Sequence, residues 1–518
     1  MRYFNIAGPC NKEKHYMIDA ATRLRGVEQL IDMKQYFVIH SARQSGKTTY
    51  LKDLVQRLNE KGNYYTLYCS LESLQNIEDV KEGIPQIVSC ISKALFQAKI
   101  PHFSEFAKDA NYFFYATVLN FELSKYCALL DKPLILLFDE ADCLSENTLI
   151  TFLRQLREGY NERSDIPFVH SIALVGMRNI RDYKAKISPD SQSLGSASPF
   201  NIVTETFTLK NFTKAEITSL YKQHTDETGQ QFDSDAIDLA YEQTQGQPWL
   251  VNAVVREVIV EILQSDFTKP VTAALVHQAI QTIILRRDTH IDSLLERLKE
   301  ERVRSVIEPM LSGEDYFGRT SDDYQYVTDL GLIKDVDHKI QPANPIYAEV
   351  IARTLSYDAQ KKLMLKKPDA DIPRYMKNGK IDMDYLLQDF QQFWRENSAI
   401  WVDMFQYREA APHLILQAFL QRVLNGGGDI IREPAAGTGR TDICVVYEGK
   451  KYPVELKIYR GEKTITEGVE KTIQYMDTFG CTEGWLAIFD RRPKIAWSKK
   501  IYMRKKTVDG KTVTVVGL

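Results

Sequence analysis

The stretch Tyr36-Phe37-Val38-Ile39-His40 runs without a break into Ser41-Ala42-Arg43-Gln44-Ser45-Gly46-Lys47-Thr48-Thr49, after which Leu51, Leu54 and Leu58 recur at helical spacing. No other feature constrains the chain as strongly. A continuous apolar strand that turns through a tight loop directly into a helix predicts an α/β fold, with a parallel sheet covered on both faces. The loop also predicts an anion site. Backbone N–H groups and a helix N-terminus coordinate phosphate oxygens, Lys47 reaches the β- and γ-phosphates, and Thr48 ligates Mg²⁺. Ser41 stands where such loops usually carry their first glycine. The residues Ser41, Arg43, Gln44, Ser45, Gly46, Lys47, Thr48 and Thr49 therefore keep the context of a P-loop without its literal string.

A second pattern supports the first. Leu134-Ile135-Leu136-Leu137-Phe138 ends in Asp139-Glu140-Ala141-Asp142, which puts carboxylates at the C-terminal edge of a buried strand. Ligands sit at that edge in an open α/β sheet. Asp139 is the expected Mg²⁺ partner, and Glu140 the residue that polarises water for γ-phosphate hydrolysis. Together the motifs predict binding of ATP, or of GTP. A further strand, Phe168 to Val175, precedes Arg178, a candidate γ-phosphate sensor, with Arg181 the next choice.

The segment Thr244-Gln245-Gly246-Gln247-Pro248-Trp249 sits between helical patterns and resembles the Gly-x-Pro turn that AAA-like signal-transduction NTPases place near the nucleotide. With the strand and loop around Arg43-Gln44, and with His15-Tyr16-Met17 upstream, the N-terminal two-thirds resembles a prokaryotic AAA-like, STAND-related P-loop ATPase family. That resemblance implies a helical lid and a winged helix after the ATPase core, Pro248 beside the nucleotide, and a homo-oligomer that completes its sites across subunits. The expected boundaries are 1–208 for the core, 209–268 for the lid and 269–356 for the winged helix. Within the last of these, Tyr326 to Ile340 reads as a recognition helix and a β-wing. A polar, lysine-rich stretch over 357–395 reads as a linker, leaving 396–518 as a further domain.

That last region carries different chemistry. Strands are expected over Asp429–Glu433, Arg440–Val446 and Lys451–Ile458, with a turn at Glu448-Gly449. Residues i and i+2 of a strand share a face, so Glu455 and Lys457 point the same way. If the hairpin pairs as the turn implies, Asp442 approaches them. Two converging carboxylates suit a hard cation, Mg²⁺ or Mn²⁺, and a neighbouring lysine suits phosphodiester hydrolysis. The pattern resembles the PD-(D/E)XK nuclease superfamily, a restriction-endonuclease-like α/β fold, with Asp442, Glu455 and Lys457 as the triad and Glu409 as the acid of its first helix. A helix around Thr466–Met476 follows, where ATPase-linked nuclease domains carry a glutamine. Here that position is Lys471, which leaves phosphate contact by Lys471, or substitution by Gln474, open.

Composition limits the partners and the address. Lys+Arg number 66 and Asp+Glu 69, for a net charge of −3 over 518 residues, yet Arg491 to Lys511 holds nine cations and one acid, with Trp497 and Tyr502 among them. That segment suits a phosphate-backbone track with stacking platforms, so nucleic acid is the expected partner, DNA first. The seven cysteines form no CxxC pair and the nine histidines no HExxH group, which predicts free thiols and no zinc site. Met1 to Tyr16 is mixed and polar, and no apolar run approaches a membrane span, so the expected address is cytoplasmic. The combined expectation is an ATP-hydrolysing switch coupled to a metal-dependent DNA endonuclease, in prokaryotic antiviral defence or DNA processing. The alternative is a regulatory NTPase whose nuclease-like domain binds nucleic acid or a protein without cutting.

Overall fold

Strand alternation decides how the first sheet is built. The computed structural model of the chain describes residues 1–177, 202–286, 289–311, 318–319, 321–336, 339–351, 354, 372–404, 411–424, 428–432, 443–490, 492 and 495–518. These divide into two units, Met1–Ile283 with Gln325–Leu332, and Ile284–Tyr324 with Ile333–Leu518. In the first, β1 (Tyr36–His40), β2 (Tyr65–Ser70), β3 (Leu134–Asp139), β4 (Ser171–Gly176) and β5 (Val203–Thr208) form an all-parallel sheet in the order β2-β3-β4-β1-β5.

Successive residues of these strands enter opposite layers. Tyr36, Val38, Leu136 and Phe138 pack with residues of α3 (Val80–Ala98), α4 (Val118–Cys127) and α5 (Glu146–Glu162). Phe37, Ile39, Ile135 and Leu137 pack with those of α1 (Val27–Asp32) and α2 (Lys47–Lys61). At about 1.5–3 kcal/mol for each large apolar side chain removed from water, covering both faces is what keeps the strand ends in place. The sheet is parallel and covered on both faces, as the sequence predicts. Strand β5 was not expected, because Val-Thr-Glu-Thr-Phe-Thr lacks an apolar run; as an edge strand beside β1 it keeps Thr204 and Glu205 exposed.

Helices α6 (Lys214–Thr228), α7 (Ser234–Thr244) and α8 (Pro248–Arg256) follow. Thr213 and Glu216 form the reciprocal capping box that opens α6, and Pro248 occupies the first turn of α8, where its missing N–H is harmless. Further on, the helix Asp322–Asp329 precedes an antiparallel pair, β6 (Ile333–Val336) and β7 (Lys339–Pro342). The helix begins before Tyr326, where the sequence pattern places its start, and ends at Asp329, where Gly331 turns the chain at φ +72°.

The second unit also holds a short pair, β8 (Met376–Lys377) and β9 (Lys380–Ile381), and a mixed six-stranded sheet. That sheet comprises β10 (Gly428–Arg432), β11 (Ile443–Tyr447), β12 (Lys450–Ile458), β13 (Glu483–Phe489), β14 (Tyr502–Val508) and β15 (Lys511–Gly517), in the order β10-β11-β12-β13-β15-β14. Strands β12, β13 and β15 run parallel; the other neighbours are antiparallel. Leu386, Phe390, Phe393 and Trp394, from the helix Met383–Met404, are buried in this domain's core with Val454, Trp485 and Phe489. Part of the stretch expected as a linker is therefore core helix. Its lysine-rich beginning, residues 357–371, lies outside the described residues, and the aromatic spacing after Met383 carries the helix.

Candidate functional site

In strand order, β4 separates β1 from β3, so the P-loop and Asp139 face each other across one strand. Thr48 Oγ1 donates a hydrogen bond to Asp139 Oδ2 at 2.7 Å, and the Tyr68 hydroxyl donates to the same oxygen at 3.0 Å. Lys47 Nζ donates to the carbonyls of Ser41 (2.9 Å) and Ala42 (3.0 Å). Burial pushes the Lys47 ammonium below its usual range, with Glu140, Asp139 and Asp142 opposing the shift. Burial also raises the Glu140 carboxyl, which Lys47 partly offsets. Gln44 and Glu140 both hold left-handed backbone, at φ 58° and 56°, a conformation that costs about 1–2 kcal/mol in a residue with a side chain. Such strain concentrates at functional loops.

The loop's departure from a glycine at position 41 has a structural use. Ser41 Oγ donates to Leu209 O at 2.7 Å, tying the start of the loop to the residue after β5. Thr49 Oγ1 accepts from the Cys10 N–H at 3.0 Å, which holds the N-terminal segment against α2. Ser45 Oγ and Gln44 Oε1 are buried without a hydrogen-bond partner.

A cavity of about 450 Å³ adjoins the loop, walled by Gly46, Lys47 and Glu140, by Tyr16 and Met17 of the N-terminal segment, and by Trp249 of α8. That volume lies in the range of small-ligand sites. Arg43, Gln44, Thr48, Thr49 and Pro248 also border it. The Gly246–Trp249 turn is joined to the site in two ways: Phe212 N–H donates to Gly246 O at 2.8 Å, and Gln247 Nε2 donates to Gln44 O at 3.5 Å. Gly246 sits at φ +72°, and a Cβ there would lie 1.8 Å from Phe212 O, so no other residue fits the turn.

Sequence reasoning missed Arg23. Its Nη1 donates to Ser45 O at 3.1 Å, its Nη2 bonds Lys210 O, and its guanidinium lies 4.8 Å from the Phe212 ring. Burial lowers its pKa to about 10. It borders the cavity with no carboxylate partner among the described ion pairs. Tyr68 was also missed; no local spacing signals a residue whose partner lies dozens of positions away. Arg178 and Arg181 lie outside the described residues.

In the second unit, Glu455 is buried in β12, on the face covered by the helix Glu462–Phe479. Lys457 Nζ lies 2.7 Å and Lys471 Nζ 3.2 Å from Glu455 Oε1. Both contacts are ion pairs on one carboxylate oxygen. Lys471 reaches the strand because Gly468 lets its helix close on Leu486, where a Cβ would meet Leu486 Cδ1 at 2.7 Å. The lysine at the expected glutamine position is thus a second cation on the carboxylate. Asp442 and Glu409 lie outside the described residues.

The basic C-terminal segment is partly neutralised. Lys505 pairs with Asp384 at 2.8 Å, Arg492 with Asp490 at 2.7 Å, and Lys511 with Asp477. All seven cysteines are free thiols. Among the described residues no cluster of three or more His, Cys, Asp or Glu could hold a metal, and no helix is long and apolar enough to cross a membrane.

Over residues 10–353 the sequence matches the family described as AAA-like domain. No curated protein matches the chain. Among solved structures, it is similar to the Walker-type ATPase PABY2304 of Pyrococcus abyssi, at 16% identity and TM-score 0.46, over 67% of this chain and 99% of that one. It is also similar to the RuvB Holliday junction branch migration motor of Thermotoga maritima, at 12% identity and TM-score 0.33, over 64% and 92%. A third is the ORC1 protein of Aeropyrum pernix, solved in complex with DNA, at 13% identity and TM-score 0.35, over 66% and 93%.

Proposed function

The chain belongs to the AAA-like domain family, and from that premise we propose that it is an ATP-hydrolysing switch coupled to a metal-dependent nuclease acting on DNA. The observation that carries the ATPase half is the Thr48–Asp139 contact at 2.7 Å beside the buried Lys47. A hydroxyl and a carboxylate in contact next to a phosphate-binding lysine form the donor set that a nucleotide-bound Mg²⁺ requires. Thr48 and Asp139 would hold the ion, which when bound neutralises charge on the phosphates. Lys47 turns from the Ser41 and Ala42 carbonyls to phosphate oxygens, and Glu140, whose carboxyl burial raises and Lys47 lowers, polarises the attacking water.

For the nuclease half, Glu455 and Lys457 share one face of β12, as the triad needs. Ile443, which follows Asp442 in the chain, pairs with Val454, which precedes Glu455. Glu455 and Asp442 would hold Mg²⁺ or Mn²⁺, whose chemistry when bound is to polarise the phosphodiester. Lys457 orients the attacking water, and Glu409 completes the acidic set. Coupling cleavage to ATP is the reason for two chemistries on one chain, in a defence or DNA-processing setting and as a homo-oligomer.

One observation favours the second reading, a regulatory NTPase that binds without cutting. Lys457 and Lys471 together neutralise the single described carboxylate of the site, which leaves less charge to attract a divalent cation. Supercoiled plasmid incubated with the full chain and Mg²⁺ or Mn²⁺, with and without ATP, separates the readings. Nicking that Asp442→Ala and Lys457→Ala abolish while ATP binding persists supports the nuclease; equal nicking by Lys457→Ala removes the assigned site. Plasmid binding without nicking supports the second reading.

A further inference from the structure

We propose that Arg23 is a phosphate-binding residue of the nucleotide site, a cation whose counter-charge is the polyphosphate chain of the ligand. This rests on the nucleotide reading above and adds to it a charged residue that lies before the P-loop strand in the chain. Arg23 follows the short helical turn Ala20–Thr22, which Asp19 caps through the Ala21 N–H at 3.1 Å. Its guanidinium lies against the P-loop. Nη1 donates to Ser45 O at 3.1 Å, and a Cβ on Gly46 would lie 3.3 Å from the same nitrogen. Nη2 donates to Lys210 O, and the Phe212 ring centre lies 4.8 Å from the guanidinium carbon. Arg23, Gly46 and Phe212 all border the cavity, so the charge stands beside the loop at a wall that a ligand meets.

The charge around this guanidinium does not balance. Arg57 of α2, a half-buried arginine of the same unit, is held by two carboxylates, Glu28 and, at 2.7 Å, Asp53. Arg23 is also half-buried, yet among the described residues its hydrogen bonds go to carbonyl oxygens alone. Glu216 acts on it electrostatically without closing an ion pair. That carboxylate is engaged elsewhere, accepting from the Thr213 N–H at 2.7 Å and from Thr213 Oγ1 at 2.9 Å. Carbonyls satisfy N–H groups but leave the charge unneutralised, and a charge withdrawn from water is costly unless it is paired. A guanidinium also carries more donors than two carbonyls use. A polyphosphate supplies both missing elements, the negative charge and the acceptor oxygens.

Calorimetric titration of the full chain with ATP and Mg²⁺ compares the wild type with two variants. Arg23→Lys keeps the charge and loses the fork that spans Ser45 and Lys210; Arg23→Gln keeps an N–H donor and loses the charge. ATP affinity should fall about tenfold or more in Arg23→Gln, and by no more than about threefold in Arg23→Lys. Tripolyphosphate, read by its displacement of a fluorescent ATP analogue, should lose about the same factor as ATP in Arg23→Gln, because it carries the phosphates alone. Equal losses of ATP affinity in the two variants would make Arg23 a structural tie between two carbonyls, and unchanged affinity in both would remove it from the site. Either result overturns the proposal and leaves the nucleotide reading standing. A loss for ATP with none for tripolyphosphate overturns it too, since the charge would then act on the nucleoside. Should Arg23→Gln fail to fold, Arg23→Lys decides alone: near-wild-type affinity supports the proposal and a tenfold loss overturns it. Wild-type heats for ATP no larger than those of Lys47→Ala overturn both readings.

Discussion

Two lysine–carboxylate sites in this chain are built on opposite principles. At the P-loop, the ammonium and the carboxylate are near each other but satisfied by different neutral groups. Lys47 spends its donors on two carbonyls, and Asp139 accepts from two hydroxyls. At Glu455 the carboxylate is held directly by two ammonium groups, at 2.7 and 3.2 Å. Bonds between a charged group and a neutral partner contribute about 1.5–3 kcal/mol each, and phosphate and cation replace them with groups of full opposite charge, so the exchange is favourable. A buried ion pair resists such exchange, because removing one partner leaves the other charge buried and uncompensated. The first site is prepared for a ligand; the second is satisfied by its own side chains.

The largest test of this contrast is Lys47→Ala. Charge-assisted bonds to phosphate are roughly twice as strong as neutral ones, so ATP affinity should fall about a hundredfold or more. Because Lys47 gives its fold only two carbonyl bonds, thermal stability without nucleotide should barely change. A large stability loss with ATP affinity unaltered would invert the assignment. At the second site the effect should be smaller and opposite in sign. Lys471→Gln removes one of the two cations on Glu455 while Lys457 remains, and Mn²⁺ affinity, read by electron paramagnetic resonance, should rise about tenfold. Unchanged affinity would mean that Lys471 does not compete with a cation there.

The same contrast separates what was legible in the sequence from what was not. Strands β1, β3 and β4 are continuous apolar runs, and their ends mark the P-loop and Asp139 because the parallel sheet forces loops to that edge. Glu455 and Lys457 share a face by strand periodicity alone. Lys471 is different: the sequence places it on a helix, while its contact with Glu455 depends on how closely Gly468 lets that helix approach Leu486. Strand β5 was hidden by its half-polar edge pattern, and Arg23 by needing two partners, Ser45 and Lys210, that lie far from each other in the chain. Of the His15-Tyr16-Met17 motif, Tyr16 and Met17 border the cavity. Periodicity reports which face a residue takes; it carries no information about which other element that face meets.

The finest test of the contrast is Tyr68→Phe. The Tyr68 hydroxyl is one of two donors on Asp139 Oδ2, at 3.0 Å, and the Asp139 side raises the tyrosine's pKa further after burial has done so. Removing the hydroxyl leaves Thr48 on the same oxygen at 2.7 Å, so Asp139 is not abandoned. If the site is held by interchangeable bonds to neutral groups, the loss should be about 2 kcal/mol of stability by urea denaturation without nucleotide. It should shrink once ATP and Mg²⁺ are bound, because Asp139 then has another partner in place of the missing hydroxyl. A loss of about 3 kcal/mol or more, the size expected when a buried charge is left uncompensated, would show that Asp139 depends on Tyr68 as Glu455 depends on its lysines, and the distinction between the two sites would fail.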